Sequence, residues 1–139
     1  MNRLLLLSAA LALSAGCDSA TSPSSFTSAV FTLERASLSP ESGITELTPS
    51  TVAFRPDGTL SVRSCNQCEG SYAWDDNFLE VSALGCTEIA CGPNLDLGPW
   101  LDAERIVVSN TSDANDEVTL VAERGEQIGT FVFSVRSLD

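Results

Sequence analysis

Histidine and lysine are missing from this chain: of its 139 residues none is histidine, and all 7 basic side chains are arginine. Without imidazole there is no Ser-His-Asp or Cys-His nucleophile pair and no imidazole metal ligand. Without a side-chain amine there is no Schiff base and no lysine general base. Positive charge of any kind is scarce. Asp and Glu number 19, giving a formal net charge of −12 at pH 7, and such a surface repels phosphate backbones and anionic head groups. Nucleic acid is therefore not an expected partner. Paired carboxylates remain available, since glycoside hydrolysis needs only two, but the composition as a whole reads as that of a protein that is not an enzyme. Long hydrophobic runs are also lacking. The one apolar stretch near the start, from Leu4 to Leu13, is about half the roughly twenty residues that cross a bilayer as a helix. Neither an internal repeat nor an amphipathic helix suited to membranes or partner helices is present.

What stands at the N-terminus instead is the grammar of export. Arg3 precedes the apolar run, and the small residues Ser14-Ala15-Gly16 lead into Cys17, which reads as a signal peptide over residues 1–16. A cysteine at the cut matches the lipobox of bacterial lipoproteins, although Ser14 stands where a larger aliphatic residue is usual. The resemblance implies diacylglycerol on the Cys17 sulfur, cleavage before it, and an acylated amine. Arg3 leaves with the signal, making the exported chain one unit more negative. Residues 17–28, rich in Ser, Thr and Ala, read as a tether that buries too little surface to order itself. More than one lipid chain is needed for stable anchorage.

The remainder, residues 29–139, is about 110 residues, enough for one domain with a core and too few for two. Period-two alternation with intervening turn chemistry predicts β-structure. The clearest hairpin runs from Val52 through Pro56-Asp57-Gly58 to Arg63, where proline presets the turn and glycine accepts positive φ. A second runs from Gly70 to Trp74 and returns from Phe78 to Val81. Further strands are expected at Glu104 to Ser109, Glu117 to Ala122 and Ile128 to Val135, with the first within Val30 to Leu38. Phe131, Phe133 and Val135 share one face. Helix is confined to short turns, at Thr87 to Cys91 or within Leu95 to Ala103 with Gly98-Pro99 at its start. Short consecutive antiparallel strands have edges to protect, so the expected fold is mostly β, a small antiparallel barrel-like or strongly coiled sheet.

Besides Cys17 the chain holds Cys65, Cys68, Cys86 and Cys91, an even set that in an exported domain implies disulfides. Three pairings are possible. Closing the loop from Cys65 to Cys91 is worth roughly 3.5 kcal/mol in the chain-entropy model, against roughly 2 kcal/mol for Cys65–Cys68, and the local link needs a tight turn. Cys65–Cys91 with Cys68–Cys86 is the favoured set. A tetrahedral zinc cage and a Cys-Asn-Gln-Cys redox pair are the alternatives. Exported thiols tend to oxidise, and a βαβ context is lacking. No cofactor or metal is expected.

Asp57-Gly58-Thr59-Leu60-Ser61-Val62, Ser64-Cys65-Asn66, Gly70-Ser71-Tyr72, Leu79 to Val81 and Thr87-Glu88-Ile89-Ala90-Cys91 together resemble the META/HslJ-like domain. Ser64 replaces the usual glycine, Phe31 and Leu33 stand where Trp-x-Leu is common, and Cys68 with Cys86 is an additional pair. The resemblance implies a small, mostly β domain common in envelope lipoproteins, and no catalytic site. Asn66 reads as a turn residue whose amide satisfies backbone groups. Tyr72, Trp74 and Trp100 read as packing residues ahead of a carbohydrate platform. Asp113, Asn115, Asp116 and Glu117 carry calcium-friendly oxygens but lack the EF-hand spacing, which favours a solvated loop. The expected protein is thus a non-catalytic lipoprotein held at the cell envelope by its lipid, facing the periplasm or the outer surface. Its role would be structural or stress-related, through an envelope protein partner. The competing expectation is a periplasmic module that binds a small molecule or cation at a barrel mouth.

Overall fold

The structure, a computed structural model, describes residues 26–40, 49–112 and 117–138. The signal peptide, Cys17, the tether as far as residue 25 and the oxygen-bearing Asp113, Asn115 and Asp116 lie outside them. Eight strands follow one another: β1 (Ala29–Ser39), β2 (Thr51–Phe54), β3 (Thr59–Arg63), β4 (Gln67–Asp75), β5 (Phe78–Cys86), β6 (Arg105–Ser112), β7 (Glu117–Arg124) and β8 (Gln127–Ser137). Each is antiparallel to the next, and β8 returns to pair with β1 from Ala29↔Ser137 to Ser39↔Ile128. The result is a closed barrel in simple sequence order, the form that removes sheet edges.

Alternation decides which side chains fill it. Leu60 and Val62 of β3, Val118, Leu120 and Ala122 of β7, and Phe131 and Phe133 of β8 all point inward and are buried. They meet Phe31, Val52 and Phe54, so the interior is a packed core. In the first hairpin Gly58 has φ of 82°, and the Asp57 carboxylate accepts bonds from the Thr59 amide at 2.9 Å and hydroxyl at 2.6 Å. These bonds hold the Asp57 carboxyl below its ordinary value, the Thr59 hydroxyl contributing most. Three register shifts, at Leu33/Arg35, Glu69/Ser71 and Val108/Asn110, add the extra residues that coil a sheet tightly enough to close. One of them places Ala83 at φ of 52°, opposite Gly70, where any Cβ would meet Ser82 O at 3.0 Å. The barrel is thinnest between β5 and β6, whose register consists of Phe78↔Val107. A bond from Val108 N–H to Asn77 O at 2.8 Å and the Arg105 guanidinium 5.0 Å from the Phe78 ring support that seam.

The two ends are closed differently. Where the chain enters β1, Phe26 packs edge-on against Phe31 at 5.2 Å and beside Trp74 at 5.9 Å. Tyr72 donates from its hydroxyl to Arg55 O at 2.7 Å. The core thus takes in Phe26, which the sequence reading assigned to the tether. An aromatic ring buries enough area to pull in a segment whose average composition is polar. At the opposite end Leu95, Leu97 and the one-turn helix α1 (Gly98–Leu101) cover the barrel, with Trp100 against Phe131 at 5.5 Å. Pro99 lies in the first turn of α1 as expected. The other expected helical turn, Thr87 to Cys91, is not helical. Its backbone groups are engaged by a neighbouring side chain instead of by one another.

Candidate functional site

The most elaborately built feature lies at the end closed by α1, where β3 passes into β4 and β5 into the long connection toward β6. Both disulfides are here. Cys65 pairs with Cys91, and Cys68 with Cys86, the set favoured above. Cys68 and Cys86 face each other directly across β4 and β5, so that link ties two strands already paired. Cys65–Cys91 instead ties the β3–β4 turn to the end of residues 87–91, a connection the sheet does not make.

Asn66, between the two half-cystines of that turn, is 5% exposed and uses both ends of its amide. Its Oδ1 accepts from the Ile89 N–H at 2.7 Å and from the Thr87 hydroxyl at 2.9 Å. Its Nδ2 donates to Ile89 O at 3.1 Å and to the Asp96 carboxylate at 2.7 Å. The amide therefore does for Ile89 what a paired strand residue would do, exchanging a bond with its N–H and another with its C=O. Thr87 is held as well: its N–H donates to Gln67 O at 2.9 Å and its hydroxyl accepts from the Gln67 N–H at 3.1 Å. A second, half-buried group completes the fixture. Ser64 Oγ accepts from the Leu97 N–H at 3.0 Å and from Ser50 Oγ at 3.0 Å, and donates to Leu95 O at 3.1 Å. A glycine at this position would leave those groups unanswered, so the hydroxyl gives the departure from the usual motif a structural use.

The outward product of these contacts is a fixed, non-helical segment whose three middle side chains are exposed. Glu88, Ile89 and Ala90 are exposed, and Ile89 at 60% heads the exposed large hydrophobic residues. No residue from 87 to 91 has positive φ.

A second feature lies on the outer face of β3, β4 and β5. A groove of about 500 Å³ is lined by Arg55, Ser61, Arg63, Gln67, Glu69 and Gly85, with the Cys68–Cys86 bridge beside it. Arg55 reaches across to donate to Ser61 Oγ at 3.2 Å. Among the described residues the ion pair is Arg35 with Glu117 at 3.7 Å, so neither groove arginine is paired with a carboxylate.

The remaining candidates separate. Cys17 and residues 113–116 are outside the described residues, and Glu117 opens β7 as the partner of Arg35. Among the described residues no three acidic or cysteine side chains converge to hold a cation. Trp100 is buried, while Tyr72 and Trp74 pack half-buried on the core, which accords with packing. Sequence reasoning missed Asp96, Ser50 and the Arg55–Arg63 groove, because each depends on a partner brought from a distant strand.

Comparison with known proteins agrees with this architecture. The META domain family model matches residues 24–128. No curated protein matches the chain. Among solved structures, the NMR structure of a protein from Burkholderia xenovorans is similar, with a TM-score of 0.58 and 24% identity over 80% of this chain and 85% of that one. That likeness concerns the fold.

Proposed function

From the premise that this chain belongs to the META domain family, we propose that it acts as a non-catalytic lipoprotein of the cell envelope, anchored through Cys17 and engaging another envelope protein through residues 87–91. The observation that carries the reading is the clamped loop: two backbone groups of Ile89 are tied to one buried amide while its apolar side chain stands in solvent. Fixing a loop in advance removes ordering entropy that association would otherwise cost. Topology adds a direction. The chain enters β1 at the Phe26 end, whereas β3 ends, β4 begins and residues 87–91 lie at the other, roughly 25 Å along strands of this length. A lipid on Cys17 then leaves the loop on the side away from the membrane. The filled barrel and the absence of histidine and lysine support a non-catalytic role.

The test is site-specific photocrosslinking in the native envelope. A crosslinking residue at position 88 is expected to give a discrete protein adduct that the same residue at position 57, at the opposite end, does not. No adduct from position 88, or equal adducts from both, rejects the reading. Mass spectrometry of the purified protein tests the anchor, and a mature N-terminus without acyl groups at Cys17 would remove it.

The groove at Arg55 and Arg63 favours a second reading, a small-molecule module. The core fills the barrel interior, so the ligand would sit on the outer face, and two guanidiniums with no carboxylate partner among the described residues fit an anion better than a cation. Citrate and phosphate are expected to raise the unfolding midpoint of the wild type and not of R55A/R63A. Equal behaviour of the two proteins would dismiss this reading.

A further inference from the structure

The seam between β5 and β6 is bonded at one end only. Phe78 stands opposite Val107, and an antiparallel ladder continued from there would set Arg105 opposite Glu80 and Ala103 opposite Ser82. The two stretches of chain part instead. A groove of about 390 Å³ lies between them, lined by Leu79, Glu80, Val81 and Ser82 of β5 and by Ala103 and Glu104 across from it. Here β5 is a strand with one edge engaged. Its β4 side is paired at Trp74↔Leu79, Ala73↔Glu80, Tyr72↔Val81 and Ser71↔Ser82. On its other side the Asn77 carbonyl accepts from the Val108 N–H at 2.8 Å. Backbone groups alternate in direction along a strand, so the N–H and C=O of Leu79 and Val81 face the same side as that carbonyl. Among the described residues no backbone bond joins Val81 to the chain across the groove. A strand edge left in this state is a template for another chain.

The side chains around this edge specify what can add to it. Leu79 is buried and Val81 half-buried, whereas Glu80, Ser82 and Glu104 are exposed. Neither carboxylate is ion-paired among the described residues, and the nearby cation, Arg105, is placed over the Phe78 ring. A strand lying in the groove would therefore turn alternate side chains toward an apolar floor and a negative rim. A second copy of this chain, with a formal net charge of −12, brings the wrong sign. We propose that the β5 edge is a docking site for an extended segment of a partner protein in which aliphatic and basic residues alternate, bonded to the Val81 backbone and attracted by Glu80 and Glu104. Strand addition takes its affinity from backbone bonds and its selectivity from alternate side chains, and opposite charges facing each other across strands add to both. The edge is a different surface from residues 87–91, so the two contacts stand or fall independently.

The experiment uses the full mature chain with both disulfides formed and a short fluorescent peptide alternating valine and arginine, at about 0.15 M salt so that long-range attraction is screened. Binding is expected in fluorescence anisotropy, with slowed exchange of the Val81 amide and unchanged exchange across β7 and β8. A peptide of the same composition with its arginines in one block is expected to bind more weakly, because it cannot match floor and rim together. Glu80 and Glu104 are surface side chains, so E80R/E104R keeps the fold, which circular dichroism verifies. That variant is expected to lose about tenfold or more in affinity for the arginine peptide, two cross-strand pairs having changed from unlike to like charge, and to gain binding of a peptide alternating valine and glutamate. No binding by wild type, equal binding of the alternating and blocked peptides, an unprotected Val81 amide in the complex, or affinity unchanged in E80R/E104R would each overturn the proposal. A dimer in sedimentation whose Val81 amide is protected without peptide would overturn it as well, by making a second copy the occupant.

Discussion

Asn66 shows how much one side chain can determine. Four groups depend on it, and in an Asn66→Ala variant the Ile89 N–H, the Thr87 hydroxyl and the Asp96 carboxylate lose partners in a part-buried place. Leaving buried polar groups unanswered costs about 1–3 kcal/mol each when water cannot replace the partner, so a loss of about 2–4 kcal/mol is expected in urea unfolding, with water answering some of them. A serine in its place would recover little, being too short to span from Ile89 to Asp96. Asp57 gives a pH signature. Its bonds to Thr59 hold the carboxyl below the ordinary 3.8, so the folded state binds its proton more weakly than the unfolded chain does. The stabilisation is present above the ordinary value and disappears as pH falls through the lowered one. Asp57→Asn should therefore be less stable than wild type near neutrality, with the difference shrinking toward zero in strong acid. A difference independent of pH would show that the carboxylate charge is not its source.

Among the elements, the β4–β5 ribbon and the loop it feeds carry the most information. Ala83 sits in the left-handed region at φ of 52°, where a Cβ costs roughly 1–2 kcal/mol and a glycine costs nothing sterically but more chain entropy. Ala83→Gly is accordingly expected to raise stability by about 0.5–1 kcal/mol, read as a higher denaturant midpoint at unchanged slope. The two disulfides should behave unequally. Cys68–Cys86 joins residues already opposite in the ladder, whereas Cys65–Cys91 is the covalent tie between the β3–β4 turn and the loop. Replacing Cys65 and Cys91 by alanine is expected to cost about 2–5 kcal/mol and to speed amide exchange at Ile89 and Leu97, where the fixture's own N–H groups report, while β7 and β8 keep their protection. Uniform acceleration across the barrel would mean that the loop and the sheet open together.

The whole molecule carries many more acidic than basic residues, and among the described residues its ion pairing amounts to Arg35 with Glu117. Unpaired like charges repel at long range and salt screens them. The unfolding temperature is expected to rise as sodium chloride increases from about 10 mM to about 500 mM, a range over which the screening length falls from about 30 Å to a few ångströms. A flat or falling response would show that the acidic groups are already compensated. The barrel topology also explains why this charge is tolerated: every strand is paired on both sides for at least part of its length, so the fold does not rely on ion pairs to protect its edges.

The sequence by itself determined the class of fold and most of its strands. Period-two burial at Leu60 and Val62, or at Phe131 and Phe133, is a local consequence of the strand repeat, and Pro56-Asp57-Gly58 sets a turn whatever surrounds it. It also limited the disulfides to three pairings and set the long Cys65–Cys91 closure above the local Cys65–Cys68 link, and it marked Asn66 as a residue that satisfies backbone. Only the tertiary structure decided what Asn66 satisfies. Its partners at Thr87, Ile89 and Asp96 are 21 to 30 positions away, and nothing periodic links them. The same holds for Phe26, drawn into the core by the rings of Phe31 and Trp74 from two strands, and for the Arg55–Arg63 groove. A helical turn was a fair local expectation for Thr87 to Cys91. The outcome was not helical, because a buried amide and a disulfide from another part of the chain outcompete the few weak bonds that one isolated turn can make.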